Sequence, residues 1–420
     1  MSTRAPVAQS SEAANERAQT HERRPDLDWL RTLIVLSIIP FHALVVFSAA
    51  NATVIKHPIA DPLLPLATTS LEGWGIPFIF LLSGAAAYFS LQTRSSGAYM
   101  RERVLRLLLP AALVALTFTP LRAYFLLLTN PDLIRISPTP IAEPARLHNI
   151  GAFFTQYWTS LFTTSSPIVV RNLLAHLWFV PRLLVVSVVC LPLFLWLRPR
   201  WARWVDRVVA SPPRGAALLI AGGAVPAATV ALLAPGWLSR LTAWFPLRDD
   251  WTALSLDVAL FISGCLIYSS PWLRNAVRDL AVFALAAATG CWIVVFTVRL
   301  RGDMPAGDLS LPSLAFTCIQ IYAIWLLTLA VLGLAMRYLS RATAWQEYLT
   351  TAAFPIFVLH LPLLTIAAYY LQVLPLPWYL LAVLITLVTA AGSLALYEYM
   401  VRRIAVLRFL FGLKLPRRIG

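Results

Sequence analysis

Apolar stretches of about twenty residues recur along the whole 420-residue chain. A helix needs roughly 20 such residues to cross the hydrocarbon core of a bilayer. Only 13% of the residues are charged, against about 25% in a typical soluble domain. The pattern therefore predicts an all-α, polytopic integral membrane protein. Ten transmembrane helices are predicted, at roughly 29–50, 70–91, 107–129, 173–197, 215–234, 251–269, 276–298, 313–336, 350–371 and 378–400.

The basic residues predict how the spans are oriented. Lys and Arg concentrate near both termini and in alternate loops, and the positive-inside rule assigns that side to the cytoplasm. Both termini are therefore predicted to be cytoplasmic. We expect a disordered polar tail at 1–28, which is not a signal peptide, a transmembrane domain at 29–400 and a basic tail at 401–420. The net charge of +15 follows this topology, so no nucleic-acid partner is expected.

The first span, Trp29 to Ala50, carries two ionisable residues, Arg31 and His42. They are eleven residues apart, which is roughly 17 Å along a helix and about three turns, so they share one face. An arginine at the membrane edge can simply snorkel, and His42, near the middle, could satisfy a carbonyl freed by Pro40. The functional alternative for His42 is a general base, because imidazole titrates near neutral pH. Asp28 is predicted to cap this helix and to pair with Arg31.

A second group of basic residues precedes the third span. Arg103 and Arg106 are three residues apart and share a helical face, with Arg94 and Arg101 nearby. The positive-inside rule alone predicts arginines here. Two guanidinium groups on one face also suit phosphate oxygens.

Four further segments carry polar, aromatic or small residues. In HLWFV, His176 and Trp178 lie at the outer end of the fourth span, where an interfacial tryptophan beside a histidine is the simpler interpretation. In PIFVLHLP, His360 lies near the middle of the ninth span, where packing explains it less easily. Small residues in Ser83–Ala87 would let a neighbouring helix approach closely. The aromatic patch FFTQYW, in the outer loop 130–172, predicts an interfacial belt or a cap over a site.

Taken in order, these segments resemble the membrane acyltransferase 3 family. The resemblance covers most of the chain. It rests on LDWLRTLIVLSIIPFH with its Arg-x10-His spacing, on FIFLLSG, on RVLR before LLLP, on HLWFV and on FPIFVLHLP. The order and spacing look most like the branch that includes glucan biosynthesis protein C. Pro181 and Arg182 depart from the pattern, because they follow the aromatic pair where aliphatic residues are expected.

The resemblance implies O-acyl transfer from a cytoplasmic acyl-CoA to a carbohydrate hydroxyl across the inner (plasma) membrane. It implies that His42 is the catalytic residue. The donor- or substrate-binding candidates are Arg31, Arg103, Arg106, His176, Trp178 and His360. Acyl-CoA would be a co-substrate, and no tightly bound cofactor or metal is expected. Acetyl and succinyl groups are both open.

Two alternatives belong to other functional classes. A transporter or flippase for a glycan or a lipid-linked glycan would also place histidines and arginines inside spans. Neither an inverted repeat nor a pair of broken helices supports it in the sequence. A structural membrane scaffold would leave His42 and His360 unexplained.

Overall fold

The computed structural model describes residues 24–49, 55–58, 61–129, 149–163, 177–208, 212–233, 251–305 and 308–413. Its helices are α1 (Pro25–Val46), α2 (Leu64–Thr93), α3 (Ser96–Leu113), α4 (Thr119–Thr129), α5 (Ile150–Thr163), α6 (Phe179–Val208), α7 (Pro212–Gly222), α8 (Ala224–Leu233), α9 (Trp251–Ser269), α10 (Pro271–Arg301), α11 (Leu311–Tyr338), α12 (Ala344–Leu371), α13 (Trp378–Leu396) and α14 (Ala405–Leu410). The π-helical segments Val114–Phe118 and Tyr397–Val401 join α3 to α4 and extend α13. No β-strand is present in these ranges.

Ten helical segments of the described chain are long and apolar enough to cross a membrane. One is the continuous run Ser96–Thr129, and another combines α7 and α8. This confirms the prediction of an all-α, ten-span membrane protein.

Helix α1 begins and ends earlier than the hydropathy pattern predicted. Pro25 starts it, since proline has a fixed φ and no N–H group to leave unsatisfied in the first turn. Asp28 therefore lies inside the first turn, and the prediction that it caps the helix is wrong. Because α1 ends at Val46, His42 lies one turn from its far end and not near its middle.

The starts of α1 and α12 and the end of the tenth span lie together at one end of the bundle. Gln346, in the first turn of α12, donates a hydrogen bond of 2.6 Å to the carbonyl of Pro25. Tyr348 of the same helix donates to the carboxylate of Glu398 at 3.1 Å. We call this the terminal end of the bundle, because both ends of the described chain lie there. The other end is the opposite end.

Two glycines bring α2 and α9 into backbone contact. A Cβ atom built on Gly84 would lie 1.8 Å from the carbonyl oxygen of Phe261. A Cβ on Gly264 would lie 2.0 Å from the carbonyl oxygen of Leu81. The helices can approach this closely only because neither residue has a side chain. The prediction that small residues after FLLS allow a close approach is confirmed, and the contact fixes α2 beside the site described below.

The aromatic patch of the outer loop forms part of α5. Phe153 and Tyr157 are 0% and 6% exposed. The ring of Phe153 packs against Tyr124 of α4 with centroids 5.3 Å apart. The patch is therefore docked on the third span at the opposite end of the bundle.

Candidate active site

The ring of His42 is held by the backbone of its own helix. Its Nδ1 lies 3.0 Å from the carbonyl oxygen of Ile38. Proline removes the hydrogen bond to the carbonyl four residues earlier, so Pro40 frees the carbonyl of Leu36. His42 contacts a different carbonyl, and the interpretation that it merely satisfies the proline kink is wrong.

The structure brings His42 and His360 together. Nε2 of His360 lies 3.2 Å from Nδ1 of His42, and the ring centroids are 5.1 Å apart. His360 is 0% exposed, and its Nδ1 lies 2.6 Å from the carbonyl oxygen of Phe357. His42 is partly exposed, and its Nε2 has no hydrogen-bond partner within the described part of the chain. A nitrogen in this state is available to a substrate.

Arg31 and Arg103 meet on neighbouring carbonyls of α2. Arg31 donates to the carbonyl of Leu82 at 3.3 Å, and Arg103 donates to the carbonyl of Ser83 at 3.1 Å. Arg31 also lies 3.6 Å from the carboxylate of Asp28, which confirms the predicted i,i+3 pair. Side chains from the first and third spans thus converge on the second span.

Arg106 and Arg94 extend this group through a shared carboxylate. Arg106 pairs with Glu102 at 2.8 Å, and Arg94 pairs with the other oxygen of the same carboxylate. The side chains of Arg106 and Arg94 are 49% and 42% exposed. We define the arginine cluster as Arg31, Arg94, Arg103 and Arg106, together with Asp28 and Glu102. It holds four guanidinium groups against two carboxylates, so it carries net positive charge suited to an anion.

The arginine cluster lies at the terminal end. A Cβ built on Gly412, just after α14, would lie 3.8 Å from Cα of Arg106. Phe411 beside it is 3% exposed and belongs to the same apolar core as Tyr99 of α3. Tyr99 in turn lies under the guanidinium of Arg103, 5.3 Å from its ring centroid.

The fourth span contributes a buried ion pair that sequence reasoning missed. Nε of Arg182 lies 2.9 Å from Oδ2 of Asp257 on α9, and the side chains are 8% and 1% exposed. The guanidinium also lies 5.5 Å from the ring centroid of Trp178. The unexpected arginine after the aromatic pair thus has a carboxylate partner. A lone aspartate inside an apolar run was the signal that could have found it.

Arg122 of α4 is a second residue that sequence reasoning left without a role. It is 9% exposed, and it lies within electrostatic interaction range of both His42 and Tyr157. The π-helical segment before α4 inserts an extra residue into the turn, a feature frequent at functional sites. The structure therefore adds a buried cation that interacts electrostatically with His42.

Other predicted site features are placed as follows. Trp178 is partly exposed, whereas His176 lies outside the described residues. Across the residues that are described, no group of three His, Cys, Asp or Glu side chains could hold a metal ion. Cys190 and Cys265 are buried, and Cys291 and Cys318 are partly buried.

The fold and these contacts define a polytopic membrane protein with a polar site built inside its helical bundle. A family model described as an acyltransferase domain (Acyl_transf_3) matches residues 24–398, so the chain belongs to this family and is a membrane acyltransferase. The resemblance to the acyltransferase 3 family is thereby confirmed, while the glucan biosynthesis protein C branch stays a prediction. Comparisons with curated proteins and with solved structures give no match.

Proposed function

We propose that this acyltransferase moves an acyl group from cytoplasmic acyl-CoA to a hydroxyl of an extracytoplasmic glycan. The terminal end would face the cytoplasm, as the distribution of basic residues predicts for a protein of the inner membrane. The observation that carries the proposal is the arrangement along α1. Arg31 belongs to the arginine cluster at the terminal end, and His42 presents an uncommitted Nε2 eleven residues further along.

The arginine cluster is suited to the charged head of acyl-CoA. That head carries phosphates and cannot enter lipid, so it needs cations at the membrane surface. The guanidinium of Arg103 is oriented by the carbonyl of Ser83, while Arg106 is half exposed and can exchange part of its contact with Glu102 for a phosphate. The acyl arm of the donor would then run into the bundle toward His42.

The reaction needs a base where the glycan hydroxyl meets the thioester. Nε2 of His42 takes the hydroxyl proton as the oxygen attacks the thioester carbonyl. The C–O bond forms, the C–S bond breaks, and the departing thiolate recovers the proton from Nε2. The position of His42, one turn from the opposite end of α1, favours an acceptor that arrives from that end.

The proposal extends to the acyl group of the donor and to the class of glycan that accepts it. Acetyl and succinyl donors both fit a cluster that recognises the CoA phosphates. A glucan is the preferred acceptor class, on the resemblance to the glucan biosynthesis protein C branch. Trp178 would offer an aromatic face near the site, held under Arg182.

The test measures CoA release by purified protein in lipid nanodiscs. Labelled acetyl-CoA or succinyl-CoA is supplied with and without a glucan, and release that depends on the glucan supports the proposal. His42→Gln should lower kcat by about 10²- to 10⁴-fold, the usual contribution of a general base. Ser37→Ala is the matched control, because Ser37 is exposed on the same helix and bonds only its own turn. Wild-type turnover in His42→Gln contradicts the assignment.

A second measurement tests the donor site alone. Equilibrium binding of CoA should weaken in Arg103→Glu/Arg106→Glu by at least tenfold, because hydrogen bonds to charged groups contribute about 1.5–3 kcal/mol each. Arg278→Glu is the control, since Arg278 is a half-exposed arginine early in α10 that pairs only loosely, at 3.5 Å, with Asp279. Unchanged CoA affinity in the double variant refutes the phosphate role.

A further inference from the structure

We propose that His360 is a positioning residue for His42 and does not bind the donor or the acceptor. It fixes the ring of His42 so that Nε2 is the basic nitrogen, and it shares the positive charge that His42 acquires. This inference rests on the proposed role of His42 as base and assigns a role to its buried neighbour.

The two backbone carbonyls determine where the ring protons lie. A carbonyl oxygen only accepts hydrogen bonds, so a ring nitrogen that faces one must carry the proton. Nδ1 of His360 faces the carbonyl of Phe357 at 2.6 Å, and Nδ1 of His42 faces the carbonyl of Ile38 at 3.0 Å. In the neutral rings both Nε2 atoms are then unprotonated. Nδ1–H of His42 is shared between Ile38 and Nε2 of His360, 3.2 Å away.

Packing holds His360 in this orientation. The side chain is 0% exposed, and its ring packs against Phe357 with centroids 5.6 Å apart. Phe357 is in turn fixed by the ring of Phe179 from α6, at 5.6 Å. A fully buried ring is a poor ligand for a substrate, but it is a rigid acceptor for the partly exposed His42.

The local charge explains why such an acceptor is useful. When His42 takes a proton it becomes a cation, and Arg122, which interacts with it electrostatically, is also a cation. Neutral Nε2 of His360 and the carbonyl of Ile38 then both accept from Nδ1–H and spread the charge. His360 keeps its own proton on Nδ1 throughout, and the proton on Nε2 of His42 passes to the thiolate. The pair therefore ends the reaction in its starting state.

The first test reads the tautomer and needs no activity. Solid-state NMR of protein with isotopically labelled histidine nitrogens separates protonated from unprotonated ring nitrogens. Comparison with His42→Gln identifies the signals of His42. In the wild type, His42 should be protonated on Nδ1 and unprotonated on Nε2. In His360→Leu the ring of His42 loses its second contact and can turn away from the carbonyl of Ile38, so we expect a mixture of the two tautomers. A wild-type His42 protonated on Nε2 alone, or a tautomer unchanged in His360→Leu, overturns the inference.

The second test separates positioning from substrate binding. His360→Leu should lower kcat about tenfold, the effect of one lost hydrogen bond, and leave KM for acyl-CoA unchanged. His360→Gln keeps an acceptor oxygen for Nδ1–H and should restore most of kcat. Thr365→Val, one turn along α12 and equally buried, is the control for disturbing the helix. A raised KM with kcat intact assigns His360 to substrate binding, and equal losses in Leu and Gln assign it to folding; either result overturns the inference.

The two tests also keep the proposals distinct. If His42→Gln is fully active while the NMR shows the expected tautomer and its loss in His360→Leu, the positioning geometry stands and the base assignment fails. If His42 is essential and its tautomer is unchanged in His360→Leu, the base assignment stands and the positioning geometry fails.

Discussion

Replacing Asp257 by asparagine removes the carboxylate charge that lies against the buried guanidinium of Arg182. The side chain of Asp257 is 1% exposed and that of Arg182 is 8% exposed, and Oδ2 of Asp257 lies 2.9 Å from Nε of Arg182. Removing one member of such a pair destabilises a protein by about 3–5 kcal/mol. For a chain of this length we take roughly 1–2 °C per kcal/mol, since the shift in Tm per unit free energy falls with size. The melting temperature of the purified protein should therefore fall by about 3–10 °C.

An exposed pair of similar length is the matched comparison. Arg402 and Glu398 lie 2.8 Å apart, but their side chains are 49% and 31% exposed. Such pairs contribute about 0.2–1 kcal/mol, so Glu398→Gln should shift Tm by less than about 2 °C. The double variant Arg182→Met/Asp257→Leu removes both charges and should recover most of the stability. Equal shifts in Asp257→Asn and Glu398→Gln, or a double variant as unstable as the single one, refute the argument from burial.

Three further predictions follow from single positions. Gly84→Ala should lower Tm and activity, because its Cβ would lie 1.8 Å from a backbone carbonyl oxygen of α9. Gly290→Ala is the control and should change neither, because nothing lies within 4 Å of a Cβ at that position. Equal effects of the two substitutions would contradict the close contact. Lys56, outside the spans, should react with amine reagents with a midpoint near pH 8, because burial lowers the pKa of Lys56 to about 8 and only the neutral amine reacts; a midpoint near the ordinary value of about 10.4 contradicts this. In intact cells a membrane-impermeant maleimide should label Asp303→Cys at the opposite end and not Ala342→Cys at the terminal end, both exposed; the reverse pattern refutes the proposed orientation.

Hydropathy predicted the number of spans because each span is a local property of about twenty residues. The ends of α1 were predicted less well, because they depend on other parts of the chain. The far end is closed where the N–H groups of His57 and Asp61 bond the carbonyls of Val46 and Phe47, both at 3.0 Å. Lys56 adds bonds of 2.7 and 2.6 Å to carbonyls of the same turn and of Ser48. No local pattern in the apolar run predicts that Lys56, His57 and Asp61 bond to the end of the helix.

The candidate site was likewise predicted in its local features but not in its contacts between spans. Periodicity placed Arg31 and His42 on one face and Arg103 beside Arg106, and topology placed the arginines at one end. Periodicity could not show that Arg31 and Arg103 converge on adjacent carbonyls of α2, or that His360 contacts His42. Those contacts depend on which spans are neighbours, and neighbours are set by packing such as the glycine contact between α2 and α9.

Arg122 shows how a local irregularity defeats periodicity within one span. An ideal helix advances 100° per residue, so the face of Arg106 can be projected along the third span to any later position. The π-helical segment Val114–Phe118 carries one extra residue per turn and rotates everything after it by roughly a quarter turn. After that rotation Arg122 is buried and interacts electrostatically with His42, so the third span has exposed arginines at one end and a buried cation further along. In the proposed mechanism His42 acquires a positive charge near this second cation, and the neutral acceptor supplied by His360 would then spread that charge.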